Sequence, residues 1–199
     1  MRRLIVNEFL SLDGVAQAPG GAEEDTDGGF AHGGWHMQYM EDEPTQQWVL
    51  RSIVEAGGFL LGRRTYEIFA AFWPNAPEEE QVVAEPLNSK PKYVVSKTLA
   101  EPLEWENSTL VAGEVADGVA ALKQDDGGDL HVIGSTQLVR TLLANGLVDE
   151  LRLMIDPVRL GGGKRIFSDD GELRPFRLVD SKVTTTGAIL ATYVPAPEP

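Results

Sequence analysis

Two hydrophobic periods alternate along the chain, one of about two residues and one of three to four. Residues 3–10 are rich in β-formers and run into Ser11-Leu12-Asp13-Gly14, whose Asp-Gly pair predicts a turn. Val49, Leu50, Ile53 and Val54 recur at helical spacing behind Asp42-Glu43-Pro44, an acidic, Pro-bearing helix start, and Gly57-Gly58 ends the run. Phe59-Leu60-Leu61 then reads as a buried strand ending at Gly62, and Tyr66, Phe69 and Trp73 as a helix from Thr65 that Pro74 closes. Residues 78–88 read as helix, Lys92–Val95 as strand, and 103–112 as one or two short strands. Val115, Val119 and Leu122 mark a further helix. Leu130–Ile133 form a strand, and Gly134-Ser135 opens a helix that Asn145-Gly146 stops. Leu151, Leu153 and Ile155 alternate with Arg152, Met154 and Asp156, as in a half-exposed strand. Runs 176–184 and 188–194 flank Thr185-Thr186-Gly187 as a hairpin.

Strand–helix alternation closing on a hairpin predicts an α/β fold, with a mostly parallel sheet and antiparallel strands at one edge. No repeat or composition break divides the chain, so residues 1–199 read as one domain. The Pro-rich tail 195–199 reads as a frayed end. The longest stretch without periodicity is 14–34, rich in Gly and acids. Aperiodic loops above roughly 15 residues are uncommon in compact domains and often functional.

Composition narrows the function classes. With 17 Lys+Arg against 31 Asp+Glu, the formal charge of −14 argues against a general nucleic-acid binder. A small phosphorylated ligand, which needs only a local basic pocket, stays open. No cysteine is present, so disulfides, thiolate metal sites and Cys nucleophiles are excluded. No apolar run approaches the roughly 20 residues of a membrane span. Met1-Arg2-Arg3-Leu4 runs directly into a strand without a signal-peptide cleavage region, so the expectation is a cytoplasmic protein.

Chemistry is suggested where strands give way to helices. Leu61-Gly62-Arg63-Arg64-Thr65 places a glycine and two guanidinium groups at a helix start, where free N–H groups attract an anion. A solvated Arg pair is the plain alternative. Val132-Ile133-Gly134-Ser135-Thr136-Gln137 repeats the arrangement, with Ser135 or Thr136 as a simple N-cap the alternative. Val95-Ser96-Lys97-Thr98 ends a third strand. Ligands of open α/β sheets gather at the carboxyl ends of parallel strands. Together the three exits suggest a dinucleotide lying across the sheet, with Arg63, Arg64 and Lys97 available for a 2′-phosphate. A G-x-G-x-x-G fingerprint follows no strand, so the architecture differs from the usual dinucleotide fold.

Val6-Asn7-Glu8-Phe9-Leu10-Ser11-Leu12-Asp13-Gly14, Leu61–Glu67 and Val132–Ser135 resemble the dihydrofolate reductase-like superfamily. Asp149–Leu153 and Pro157-Val158-Arg159-Leu160-Gly161-Gly162-Gly163-Lys164-Arg165-Ile166-Phe167 are similar to its RibD C-terminal domain branch, whose best-known member is the reductase of riboflavin biosynthesis. The resemblance runs in order from about residue 3 to 194. It implies a three-layer sandwich around a mixed, mostly parallel sheet, NADPH as hydride donor, a small pterin-, pyrimidine- or other heterocycle-like substrate, and a homodimer. An NADP(H)-binding sensor or interaction protein without turnover is the alternative.

The same resemblance assigns positions. Gly62, Arg63, Arg64 and Thr65 match the adenine-side phosphate loop, Ser96 and Lys97 the segment near the 2′-phosphate, and Gly134, Ser135, Thr136 and Gln137 the turn under the pyrophosphate. Residues 11–16 match the loop beside the nicotinamide, making Val15 and Ala16 backbone contacts. The Gly161–Gly163 run is a hallmark of the family and reads equally as a tight turn. Dihydrofolate reductases carry a carboxylate on their first helix; the corresponding place here is near Gln46, which argues against folate.

Asp13 stands at the nicotinamide end, either as a substrate or proton-relay group or as the carboxylate of an Asp-Gly turn. Trp35, His36 and Tyr39 follow the long loop and either wall the substrate pocket or anchor the loop. His32 and His36 are four apart, but Gly33-Gly34 intervenes and no H-E-x-x-H pattern forms, so no metal site is expected.

Overall fold

The structure, a computed structural model, describes residues 1–197. Eight strands form one sheet: β1 (Leu4–Ser11), β2 (Gly58–Gly62), β3 (Lys92–Val95), β4 (Ser108–Leu110), β5 (Leu130–Ile133), β6 (Glu150–Asp156), β7 (Phe176–Val183) and β8 (Ile189–Pro195). Their order across the sheet is β4-β3-β2-β5-β1-β6-β8-β7. Neighbours from β4 to β6 are parallel, and β8 runs antiparallel to both β6 and β7. Five helices link the strands: α1 (Glu43–Val54), α2 (Arg63–Phe72), α3 (Gln81–Ser89), α4 (Val115–Gln124) and α5 (Thr136–Ala144). The expected mixed, mostly parallel sheet with a C-terminal hairpin is borne out.

Strand alternation sorts side chains to the two faces. Leu4, Val6, Leu10, Leu60 and Val132 pack with Leu138, Val139 and Leu142 of α5 and Val119 of α4. Each such buried side chain contributes about 1.5–3 kcal/mol. On the opposite face Phe59, Leu61 and Val94 pack with Ile53 of α1, Tyr66 of α2 and Leu87 of α3. Toward the hairpin that face continues as Met154, Ala188 and Leu190, joined by Phe9, Tyr39 and Trp48.

Local chemistry explains the helix ends. Asp42 caps α1 by accepting from the Thr45 N–H, with Pro44 in the first turn. The same carboxylate accepts from the Thr185 N–H at 2.8 Å and from its hydroxyl, tying α1 to the β7–β8 turn. Helix α2 begins at Arg63, two residues before the expected Thr65, because Gly62 in an extended conformation already serves as its cap position. Residues 103–112 give only β4.

Two expectations are corrected. β6 is not half-exposed: Met154 and Asp156 are both fully buried, because the strand lies between β1 and β8 and the 12–42 loop covers its second face. The tail does not fray at 195, since Pro195 still pairs with Phe176 and the Ala196 N–H donates to the Pro175 carbonyl. Glu198 and Pro199 of that tail lie outside the described residues.

Candidate functional site

The sheet order makes β3, β2 and β5 immediate neighbours, so the three suspected exits emerge side by side. Gly62 and Val95 are register partners, which sets Arg63 beside Ser96. The Gly62 N–H donates to Ser135 Oγ at 2.9 Å, joining the α2 and α5 entrances. Ser135 and Gly134 both take left-handed backbone, at φ 64° and 59°, and a Cβ on Gly134 would sit 3.5 Å from Thr65 Oγ1. Neither α2 nor α5 has a side-chain cap on its first turn, so the amides of 63–65 and 136–137 have no side-chain acceptor. Two uncapped helix starts facing one rim form an anion cradle.

Three cations were expected around this rim. Arg63 is exposed and pairs with Glu67 one turn along α2 at 3.0 Å. Arg64 is committed elsewhere: Asp25 and Asp27, both in the long loop, bind its guanidinium, the latter at 2.9 Å. The same two acids hold Lys164 at 2.5 and 2.7 Å. Hydrogen bonds from Arg64 and then Lys164 hold the Asp27 carboxyl down at about 2. Lys97 is exposed, whereas Ser96 spends its hydroxyl on the N–H groups of Thr98 and Leu99. Of the three cations only Lys97 has no ion-pair partner among the described residues, Arg63 being paired on its own helix and Arg64 held by the loop acids.

The loop itself, residues 12–42, folds back over the ends of β1 and β6. Asp13 accepts from the Leu160 N–H at 3.0 Å, from the Ser11 hydroxyl at 2.8 Å and from the Gly161 N–H at 2.8 Å. Burial works to raise its pKa, but these donors outweigh it and hold the carboxyl at about 2. An ionised, fully engaged carboxylate has no proton to give near neutrality, so the catalytic reading of Asp13 gives way to an anchoring one. Val15 and Ala16 are buried and mostly spent as well: the Val15 carbonyl accepts from the Ser11 N–H, the Val15 N–H donates to Ser11 Oγ, and the Ala16 N–H donates to the Lys164 carbonyl. Gly163 explains one part of the glycine run. At φ 125° a Cβ there would lie 2.6 Å from Val15 Cγ1.

Gln17, which nothing in the sequence singled out, is the hub of the loop. Its buried amide donates to the carbonyls of Asp25 and Asp27 and accepts from the Lys164 N–H, and its carbonyl accepts from the Trp35 indole at 2.8 Å. Trp35 is thus a loop anchor. His36 is buried with it. Its ring stacks on Phe9 with centroids 3.8 Å apart, and its Nδ1 lies 2.7 Å from Asp156 Oδ2. Burial raises the Asp156 pKa, with His36 opposing. Tyr39, half-buried, joins Phe9, Trp48 and Met154 in the same cluster. One level deeper, Asn7 lies 3.3 Å from His131 Nδ1, and His131 is pushed down to about 4 by burial and then by the charge of Arg152.

Glu8 is a further buried carboxyl, driven well above the usual range by burial and by Glu24. Alternation puts it on the α4–α5 face with Val6 and Leu10, away from Phe9 and His36. On that face an apolar cavity of about 320 Å³ opens, lined by Leu10, Leu153, Phe167, Phe176 and Tyr193 among others. Gln46, standing where a folate-binding carboxylate was sought, is exposed and donates to the Met40 carbonyl.

Comparison with known proteins decides the family. The RibD C-terminal domain matches residues 2–190. The chain belongs to that family. As a RibD C-terminal domain it is 27% identical to the "uncharacterized protein YyaP" of Bacillus subtilis (strain 168), over 96% of this chain and 94% of that protein. A putative riboflavin biosynthesis protein from Shewanella sp. PV-4 superposes with a TM-score of 0.69 at 20% identity, covering 98% and 99% of the two chains. A dihydrofolate reductase from Enterococcus faecalis, solved with NADP(H) and RAB-propyl, gives 0.60 at 16% identity over 98% and 97%. This RibD C-terminal domain therefore has the dihydrofolate reductase-like fold that its motifs resembled.

Proposed function

We propose that this RibD C-terminal domain, read as a single unit over 1–199, is an NADPH-dependent reductase of a small pterin-, pyrimidine- or similar heterocyclic substrate. The observation that carries the reading is the rim at which β3, β2 and β5 end together, with two uncapped helix starts joined by the Gly62–Ser135 bond. The rim fits a phosphorylated dinucleotide. Amides of 63–65 and 136–137 would receive its pyrophosphate, and Arg63 and Lys97 flank the place for a 2′-phosphate. The bound cofactor supplies a hydride. The chain's own residues do the rest: Val15, Ala16 and the 11–16 segment close the inner end, while Phe9, Trp48 and Tyr39 form a dry apolar wall that excludes water.

The partners of such an enzyme are a small molecule and, as the family resemblance implies, a second copy of the chain. β7 supports the latter, since it leaves Leu178, Val179 and Val183 exposed at the sheet edge. No helix among the described residues is long and apolar enough to cross a membrane.

A cofactor-binding protein without turnover is the second reading, favoured by the exposed Gln46 where folate-reducing relatives need an acid. Titrating the protein with NADPH, followed by nucleotide fluorescence or calorimetry, tests the proposal. Saturable binding below millimolar is expected, and its absence overturns both readings. Loss of the reduced-nicotinamide absorbance with a pyrimidine or pterin substrate separates enzyme from sensor.

A further inference from the structure

We propose that His36 and Asp156 form the proton-delivering pair of this reductase, with His36 Nε2 as donor to the substrate and Asp156 as the positioning residue that orients it. The inference rests on the reductase reading above. Hydride addition to the carbon of a C=N or C=O bond drives the π pair onto the heteroatom, which must then receive a proton. Substrate, NADPH and one proton give reduced product and NADP⁺. The proton leaves His36 Nε2 for the nitrogen or oxygen, and water afterwards restores it to the pair.

Position favours this pair. Asp156 ends β6 and is the register partner of Ser11, the residue at the head of the 11–16 segment. His36 covers Phe9, whose other neighbours, Trp48, Tyr39 and Met154, form the apolar wall. Both groups are closed from solvent, at 2% and 0% exposure, so a substrate must part the cover over Nε2 while the Nδ1–Asp156 contact holds.

Unspent hydrogen-bonding capacity points the same way. His36 Nε2 and Asp156 Oδ1 are buried without a hydrogen-bond partner among the described residues, and so is Asn7 Oδ1 two residues from Phe9 on the same strand face. Each such atom costs about 1–3 kcal/mol, so three on one face of the sheet require an explanation beyond packing. Asp156 occupies only Nδ1 and leaves Nε2 without a hydrogen-bond partner, as a carboxylate does when it orients a working imidazole. Burial raises the Asp156 pKa and the His36 contact opposes it.

The rival acids fail on geometry. Asp13 is saturated by Leu160, Gly161 and Ser11, and Glu8 projects to the α4–α5 face.

The test compares wild type, His36→Gln, His36→Ala and Asp156→Asn. Each is titrated with NADPH and then assayed with dihydrofolate and with 5-amino-6-(5-phosphoribosylamino)uracil. Wild type is expected to reduce at least one of the two. His36→Gln should lose on the order of 10²-fold in kcat while NADPH affinity stays within about twofold. Added imidazole should restore part of kcat to His36→Ala, a response that a packing defect would not give. Asp156→Asn should lower kcat with KM for NADPH unchanged, and imidazole should not rescue it. A His36→Gln enzyme within threefold of wild-type kcat, or a His36→Ala enzyme deaf to imidazole, overturns the pair while leaving the reductase standing. Wild type that binds NADPH but reduces neither substrate overturns the catalytic assignment alone. Wild type that fails to bind NADPH removes the reductase reading itself.

Discussion

The rim around Gly62 and Ser135 and the covered end of β1 and β6 are built in opposite ways. At the rim, two of the three components are short strand–glycine–helix segments whose geometry is fixed within about five residues, and the sheet order sets them beside the exit of β3. At the covered end the bonds that fasten the loop to the body span a large sequence distance: His36 to Asp156, Asp13 to Leu160 and Gly161, Lys164 to Asp25 and Asp27. The rim is therefore an assembly of self-sufficient parts, and the covered end a single network that stands or falls together. The cramped Gly163 and the buried His36–Asp156 pair belong to the second, so its failures should be larger and more dependent on pH.

Gly163→Ala is the strongest blow to the network. A Cβ 2.6 Å from Val15 Cγ1, on backbone at φ 125°, should destabilise the protein by about 2–4 kcal/mol, read as a lower Tm. The equivalent change at Gly162, where a Cβ meets nothing within 4 Å, should cost far less. Equal losses would show that the run matters only as a flexible turn.

His131 gives the covered half an acid weakness. Its folded pKa of about 4 lies below the unfolded value near 6.5, so the unfolded chain takes up the proton first. Stability is complete above pH 6.5 and falls as pH drops from 6.5 to 4. The loss is bounded by about 3 kcal/mol at 1.36 kcal/mol per unit. Denaturant titrations of wild type and His131→Gln across that window should converge as pH falls; parallel curves would remove His131 as the cause.

At the rim the effects should be modest and specific. Arg63→Ala with Arg64→Ala should weaken NADPH about tenfold and NADH little, as expected for loss of a charge-assisted phosphate contact. Equal weakening of the two nucleotides would refute the 2′-phosphate assignment. The smallest effect sits where the two regions meet. Asp25→Asn with Asp27→Asn frees Arg64 and Lys164, and NADPH affinity should rise by a few-fold at low salt, with the gain shrinking as salt screens it. Unchanged affinity would mean that Arg64 never meets the cofactor.

Legibility followed the same division. The strand at Phe59–Leu61, the helix of Leu138, Val139, Leu142 and Leu143, and both ladders of the hairpin show their period directly in the sequence and form where expected. Arg63 and Lys97 stand at strand exits as read. The resemblance placed Asp13 at the nicotinamide end and the Asp-Gly pair read as a turn; the backbone donors that engage its carboxylate come from residues 160 and 161. Gln17 and Asp156 carried no local signal. A lone Gln in a loop and an Asp at the polar phase of an alternating strand look solvated until distant chain covers them. The 14–34 stretch showed only that it is rich in Gly and acids, yet its Asp25 and Asp27 neutralise two cations.

What the sequence determined by itself was most of the elements, the mostly parallel character of the sheet and the strand–glycine–helix exits, since hydrophobic period and backbone freedom act between near neighbours. Only the tertiary structure decided which polar groups remain available for chemistry. A side chain's charge, burial and spare hydrogen bonds depend on what packs against it, and the partners of Asp13, His36 and Lys164 arrive from more than a hundred residues away.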